Sequence, residues 1–214
     1  MNPGNSQTGS RIGVLLAAGR GSRMGRTKQL LPWPTAQGDK PLVAAAFDAV
    51  ADLCDQMVVV LGHEAQAVAN ALGHRRFHSA RSSADAEMFE SIRAGLAQAQ
   101  RIDASAEVLL QPADHPEVQP ATVQALIEAR ADHPRRAVIP VYHGKGGHPV
   151  LIPAEVIDRL LTASGKGGLR QYWRDHPDQC LRLPVDDPGV VRDLDTLDQY
   201  PPGNDQATAG SPSD

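Results

Sequence analysis

One stretch near the amino terminus limits what this chain can fold into. Ile12 to Leu16 is continuously apolar and leads without a break into Ala17-Ala18-Gly19-Arg20-Gly21-Ser22-Arg23-Met24-Gly25-Arg26-Thr27-Lys28. The apolar run reads as a buried strand. Glycine lets backbone N–H groups come close to a ligand and take up turns closed to other residues. A concave row of such N–H groups, flanked by Arg20, Arg23, Arg26 and Lys28, suits a polyphosphate. Two familiar phosphate patterns are excluded. Gly19, Gly21 and Gly25 are spaced G-x-G-x-x-x-G rather than as the dinucleotide fingerprint, and no Gly-Lys-Ser/Thr triplet is present.

Downstream, strand and helix patterns alternate, which is the signature of an α/β domain. Helices are expected at Pro41–Leu53, Glu64–Leu72, Ala84–Gln100, Pro120–Ala131, Pro153–Leu161 and Leu169–His176. Met88, Ile92, Leu96 and Ala99 are expected to form the apolar face of the third of these. Strands are expected at Met57–Leu61, Phe77–Ala80, Glu107–Leu110, Ala137–Val141 and Cys180–Val185. Tyr142 to Ile152 carries two apolar runs around a glycine-rich turn and reads as a hairpin. Gln111-Pro112-Ala113-Asp114-His115-Pro116 falls at the carboxyl end of a strand, the edge where open α/β sheets bind ligands.

The opening run resembles L-A-A/G-G-x-G-x-R-M-G-x-x-K, the signature of the MobA-like nucleotidyltransferases. The likeness recurs at Ser91-Ile92-Arg93-Ala94-Gly95, at Ala113-Asp114-His115-Pro116, at Gly147-His148-Pro149-Val150 and at Asp193-Leu194-Asp195-Thr196. Within that superfamily the chain is most similar to the molybdenum cofactor cytidylyltransferases. The resemblance implies a three-layer α/β/α, Rossmann-like fold with a mostly parallel sheet and a small β-hairpin insertion, the nucleotide-diphospho-sugar transferase fold. It also implies transfer of a nucleoside monophosphate, CMP from CTP, to a phosphorylated acceptor such as molybdopterin, with Mg2+ as cofactor.

The same resemblance assigns residues. Leu16, Ala17, Ala18, Gly19, Gly21, Ser22, Arg23 and Lys28 would bind the nucleotide, and Arg23, Lys28 and Asp114 would carry the chemistry. Asp114 and Asp195 would hold the metal. Gly147 and His148 would meet the acceptor, and Lys166 stays open between a ligand of the acceptor phosphate and a solvated loop lysine. Ser91 stays open between a nucleotide contact and a helix serine facing solvent, and His148 between an acceptor contact and a structural residue. His115 stands where the family commonly has glutamine, and its role is left open. Ala18 stands where guanylyl-transferring members commonly have glycine. Its extra methyl favours a pyrimidine, and one methyl discriminates by about 1–3 kcal/mol.

The reaction itself explains this set of residues. A phosphate oxygen of the acceptor is already a nucleophile, so no Ser or Cys attack is needed. The barrier is charge, which cations, backbone N–H groups and a divalent ion lower by positioning and electrostatics. Magnesium needs only one or two protein carboxylates beside the phosphate oxygens.

Composition narrows the alternatives. The chain has 214 residues, enough for one α/β domain, expected at residues 11–200 between polar tails at 1–10 and 201–214. A net charge of −4 and a pI near 6.0 argue against a general nucleic-acid binder. No run approaches the ~20 apolar residues of a membrane span. Cys54 and Cys180 suggest no disulfide and read as reduced, buried thiols of a cytoplasmic protein. A molybdoenzyme or its chaperone would be the partner receiving the product. Two other readings remain: a sugar-phosphate or other small-metabolite nucleotidyltransferase, and a nucleotide-binding regulatory module without catalysis. An NAD-dependent dehydrogenase is disfavoured by the glycine spacing.

Overall fold

The computed structural model describes residues 9–19, 27–83 and 86–194. The chain enters as strand β1 (Arg11–Ala17), and Lys28–Leu30 forms a single 3-10 turn. Short strands β2 (Pro32–Trp33) and β3 (Lys40–Pro41) pair antiparallel as a small separate sheet. Then follow α1 (Leu42–Ala51), β4 (Gln56–Leu61), α2 (Ala65–Ala71), β5 (His78–Arg81) and α3 (Met88–Ile102). After them come β6 (Glu107–Pro112), α4 (Pro120–Asp132), β7 (Ala137–Tyr142), β8 (Lys145–Gly146) and β9 (Val150–Ile152). The described part closes with α5 (Ala154–Thr162), α6 (Gly168–Asp175) and β10 (Cys180–Pro184).

The main sheet runs β10-β7-β9-β6-β1-β4-β5, with β8 appended to β7. The neighbours β6, β1, β4 and β5 are parallel, as are β7 and β10. Only β9 lies antiparallel between β6 and β7, and β8 pairs antiparallel on β7. The glycine-rich turn thus does make a hairpin, β7–β8. The second apolar run, Val150 to Ile152, goes further and fills a slot inside the main sheet, where it is fully buried. Only burial on both faces suits so uninterrupted a run.

Alternation along β1 sorts its side chains into two cores. Ile12, Val14 and Leu16 join the core under α3, α5 and α6, while Leu15 and Ala17 join the one under α1, α2 and α4. Three layers result, as expected. Ser10 already belongs to the domain: its hydroxyl donates to Asp103 and its carbonyl accepts from Glu107 N at 3.0 Å. The tails expected at either end otherwise lie outside the described residues. Both cysteines are free thiols. Cys180 is buried, Cys54 is half-buried, and desolvation pushes the Cys54 thiol up to about 12. No helix among the described residues is long and apolar enough to cross a membrane.

The buried face of α3 differs from the expected one. Met88 is 66% exposed, and Phe89, Ile92, Leu96 and Ala99 form the buried face of α3, with Ser91 and Gly95. Met88 has the right spacing, but it opens the first turn of α3 and borders a surface cavity there. Gly95 is what brings α3 against the sheet. A methyl on its Cα would lie 2.4 Å from Val14 Cγ1 and 2.9 Å from Val60 Cγ2. Gly95→Ala is therefore expected to cost about 1–3 kcal/mol by overpacking. Urea unfolding should show a lower midpoint at unchanged slope; an unchanged midpoint would contradict this packing.

Candidate active site

Everything the sequence singled out on β1 and β6 emerges at one edge. These strands are parallel neighbours, and Leu16 stands opposite Pro112. The pairing continues past β6, because Ala113 N donates to Leu16 O at 3.0 Å. Asp114 follows at once, so its carboxylate sits beside the start of the glycine–arginine loop. Lys28 returns from that loop on its 3-10 turn, and its Nζ lies 3.1 Å from Asp114 Oδ2. The lysine side chain is 10% exposed and the carboxylate 31%. Asp114 Oδ1 is sealed from solvent and has no hydrogen-bond partner among the described residues.

Buried polar groups fix this corner. Gln29 Nε2 donates to Gly19 O at 2.9 Å, which ties the start of the loop to its end. The Thr27 hydroxyl donates to the carboxylate of Glu64, a residue held at φ 49° before α2. Gln111, fully buried on β6, donates through Nε2 to His115 O at 2.6 Å.

A segment late in the chain braces the loop from the other side. Asp187 is buried and accepts from Gln119 N at 3.0 Å, Thr122 Oγ1 at 2.7 Å and Gly189 N at 2.9 Å. It serves as the missing amino-terminal cap of α4, whose own Gln119 makes no side-chain cap. Arg192 pairs with Glu117 at 2.9 Å, and His148 N donates to Val190 O at 2.8 Å. Asp186 to Gly189 read as a plain turn in the sequence. Only the fold shows that Asp187 reaches back to α4.

A cavity of about 190 Å³ opens beside the pair, and its walls include Leu16, Ala18, Gly19, Lys28, Ser91 and Asp114. Six of the expected site residues thus converge. Ser91 does not face solvent: it is 7% exposed, borders this cavity and donates to Ser82 Oγ at 2.9 Å. The Ala18 methyl lies against Gly62, where an added Cβ would come within 2.8 Å of it. Met88 and Gln29 also border the cavity, and sequence reading gave neither of them a role there.

Other expected residues lie elsewhere. The Ala17 side chain is fully buried in the opposite core. Gly147 is pressed against Val190, whose carbonyl oxygen would be 2.1 Å from an added Cβ. His148 packs edge-on against His115 with ring centroids 5.5 Å apart. Neither Gly147 nor His148 borders the cavity beside Asp114. Lys166 borders a second cavity, of about 250 Å³, with Phe89, Arg159 and Tyr172. The first turn of α3 separates the two cavities, since Met88 and Ser91 face one and Phe89 the other. Gly21, Ser22, Arg23 and Asp195 lie outside the described residues. Asp193 is exposed, and Leu194 is buried with Trp33, Leu42 and Ala45. No group of three or more His, Cys, Asp or Glu side chains is placed to hold a metal among the described residues.

A carboxylate and a lysine meeting at the carboxyl edge of a mostly parallel three-layer sheet, next to a glycine-led loop, define a nucleotide-handling α/β protein. The chain belongs to the family of the MobA-like NTP transferase domain, whose pattern matches residues 13–181. It is 32% identical over 199 residues to nicotine blue oxidoreductase of Paenarthrobacter nicotinovorans, covering 87% of this chain and 93% of that protein. It superposes on Rv0371c of Mycobacterium tuberculosis H37Rv with a TM-score of 0.75 at 28% identity, covering 89% of this chain and 96% of the other. A structure of Rv0371c in complex with manganese aligns with a TM-score of 0.68 at 27% identity, over 89% and 96% of the two chains.

Burial lowers the His148 imidazole to about 4, helped by the neighbouring His115, while a backbone hydrogen bond with Leu110 acts the other way. A histidine lowered on folding binds its proton more readily when unfolded. Its contribution to stability is therefore complete above pH 6.5 and is lost as the pH falls toward 4. The wild type should lose about 1–2 kcal/mol more than His148→Gln between pH 7 and pH 5. Urea midpoints at both pH values measure this; equal losses would contradict it.

Proposed function

We propose that this protein is a nucleotidyltransferase that moves CMP from CTP onto a phosphorylated acceptor, molybdopterin in the first instance, with release of pyrophosphate. The observation that carries this reading is the Lys28–Asp114 pair at the mouth of the cavity. An acceptor phosphate oxygen attacks the α-phosphorus, a new P–O bond forms, and the bond to the β-phosphate oxygen breaks. Lys28 neutralises phosphate charge as it builds on the leaving group. Gly19, with Gly21, Ser22 and Arg23 from the same loop, cradles the triphosphate. Ser91 and Ala18 border the nucleotide, and Ala18 favours the smaller pyrimidine.

Asp114 fits a divalent cation: its Oδ1 is a carboxylate oxygen with no hydrogen bond among the described residues. With Asp195 it would hold Mg2+, which supplies charge neutralisation across the phosphates when bound. On the acceptor side we assign Gly147 and His148 to shaping the wall behind His115; Lys166, across α3 in a separate cavity, is given no part in the transfer. A molybdoenzyme or its chaperone would receive the product.

A second reading comes from the relative that is 32% identical and named nicotine blue oxidoreductase. One assay separates the two: pyrophosphate release from CTP or GTP with Mg2+ and molybdopterin, run beside reduction of nicotine blue with a supplied electron donor. Pyrophosphate release supports the first reading and also removes a non-catalytic binding module. Dye reduction without pyrophosphate release supports the second. Preference for GTP over CTP would overturn the base assignment alone.

Asp114→Asn and Lys28→Met should each lower the rate of pyrophosphate release by about 10²–10³-fold. Each substitution leaves its partner's charge partly buried and unpaired, so melting temperatures should fall, and the rates are compared well below the lower transition. Rates within a few-fold of wild type would remove this pair from the chemistry.

A further inference from the structure

We propose that His115 is a nitrogen ligand of the divalent ion held by Asp114, and that it turns the site's preference from Mg2+ toward Mn2+ and other transition ions. The inference rests on the metal-dependent transfer proposed above. The His115 side chain is 8% exposed and is oriented from behind: Nδ1 lies 3.4 Å from Gly189 O. A carbonyl can only accept, so Nδ1 is the nitrogen that donates, and the ring is aimed with Nε2 toward Asp114. That nitrogen lies 3.7 Å from Asp114 Oδ1, too far for a hydrogen bond. Oδ1 itself has no hydrogen-bond partner among the described residues. Nε2 and Oδ1 thus face each other across a 3.7 Å gap that a shared cation would bridge.

The gap has the right width. Two ligand atoms each about 2.1 Å from a shared ion stand about 3.0–4.2 Å apart, depending on the angle between them. The second oxygen, Oδ2, is fixed by Lys28 at 3.1 Å, so the carboxylate keeps Oδ1 turned toward the ring. A backbone carbonyl on the far nitrogen is the usual outer partner of a metal-bound histidine, because it sets the tautomer and aims the ring. The turn is held by His115 N donating to Pro112 O at 3.4 Å and by Gln111 Nε2 donating to His115 O at 2.6 Å. Carboxylate and water oxygens alone suit magnesium, whereas an imidazole nitrogen raises the affinity for transition ions.

The test reads the ion rather than turnover. The full chain is loaded with Mn2+ alone and examined by electron spin-echo envelope modulation, unlabelled and with 15N-histidine. The expected result is imidazole nitrogen coupling to the bound ion that shifts on labelling and vanishes in His115→Gln and His115→Asn. Competition titration should show the ratio of Mn2+ to Mg2+ affinity falling about tenfold in His115→Gln. Coupling that survives in both variants, or identical spectra with and without the label, would overturn the proposal. The labelled wild-type protein decides against it without any substitution, should a variant fail to fold. Since no nucleotide or acceptor is present, a failure of the transfer assay cannot be mistaken for a failure here.

Discussion

The contact between Lys28 Nζ and Asp114 Oδ2 is what the site depends on. Partial burial makes such a pair costly to assemble, because both charges lose water, and removing one partner leaves the other uncompensated. The fold meets that cost with geometry. Asp114 is two residues past β6, on backbone still bonded to β1, and Lys28 is on a turn fixed by Thr27 and Gln29. Only one carboxylate oxygen is used by the lysine. The other has no hydrogen-bond partner among the described residues.

A loop at the carboxyl edge of a sheet has few backbone partners of its own, so its position must come from elsewhere. Here it comes from residues about 70 positions later in the chain, where Asp187 binds the start of α4 and Gly189 O receives His115. The same segment supplies Val190 O to His148, so the strand turn at Gly147 and the Asp114 loop are braced together. Substitutions in this segment would shift the Asp114–His115 turn and the start of α4 without altering those residues themselves. Its continuation runs to Leu194, buried beside Trp33 and Leu42, immediately before the second carboxylate assigned to the metal.

Much of this was legible in the sequence, for identifiable reasons. Continuous apolar runs at β1, β4 and β6 announced strands covered on both faces, and their order gave a layered α/β domain. The loop after β1 and Asp114 after β6 both fall at strand ends, so a parallel sheet had to bring them to one edge. What the sequence could not reveal was long-range. Nothing about Asp187 in a turn-like tetrapeptide signals that it caps a helix far upstream. Met88 shares the helical spacing of the buried residues, but spacing does not show that the first turn of α3 borders an open cavity. Val150 to Ile152 was read as half of a hairpin, since periodicity cannot distinguish an appended strand from one inserted between two others. Lys166 and Asp114 were assigned to one reaction, yet they border different cavities on either side of α3.

The central claim is that Asp114 and Lys28 meet a single metal–triphosphate at the cavity mouth. Crystals grown with Mn2+ and a non-hydrolysable CTP analogue test it most directly, through the anomalous signal of the ion. The account predicts a manganese peak about 2.0–2.3 Å from Asp114 Oδ1, with the triphosphate between it and the loop that begins at Gly19 and Lys28 at its side. A nucleotide bound in another cleft, or an ion with no bond to Asp114, would contradict it.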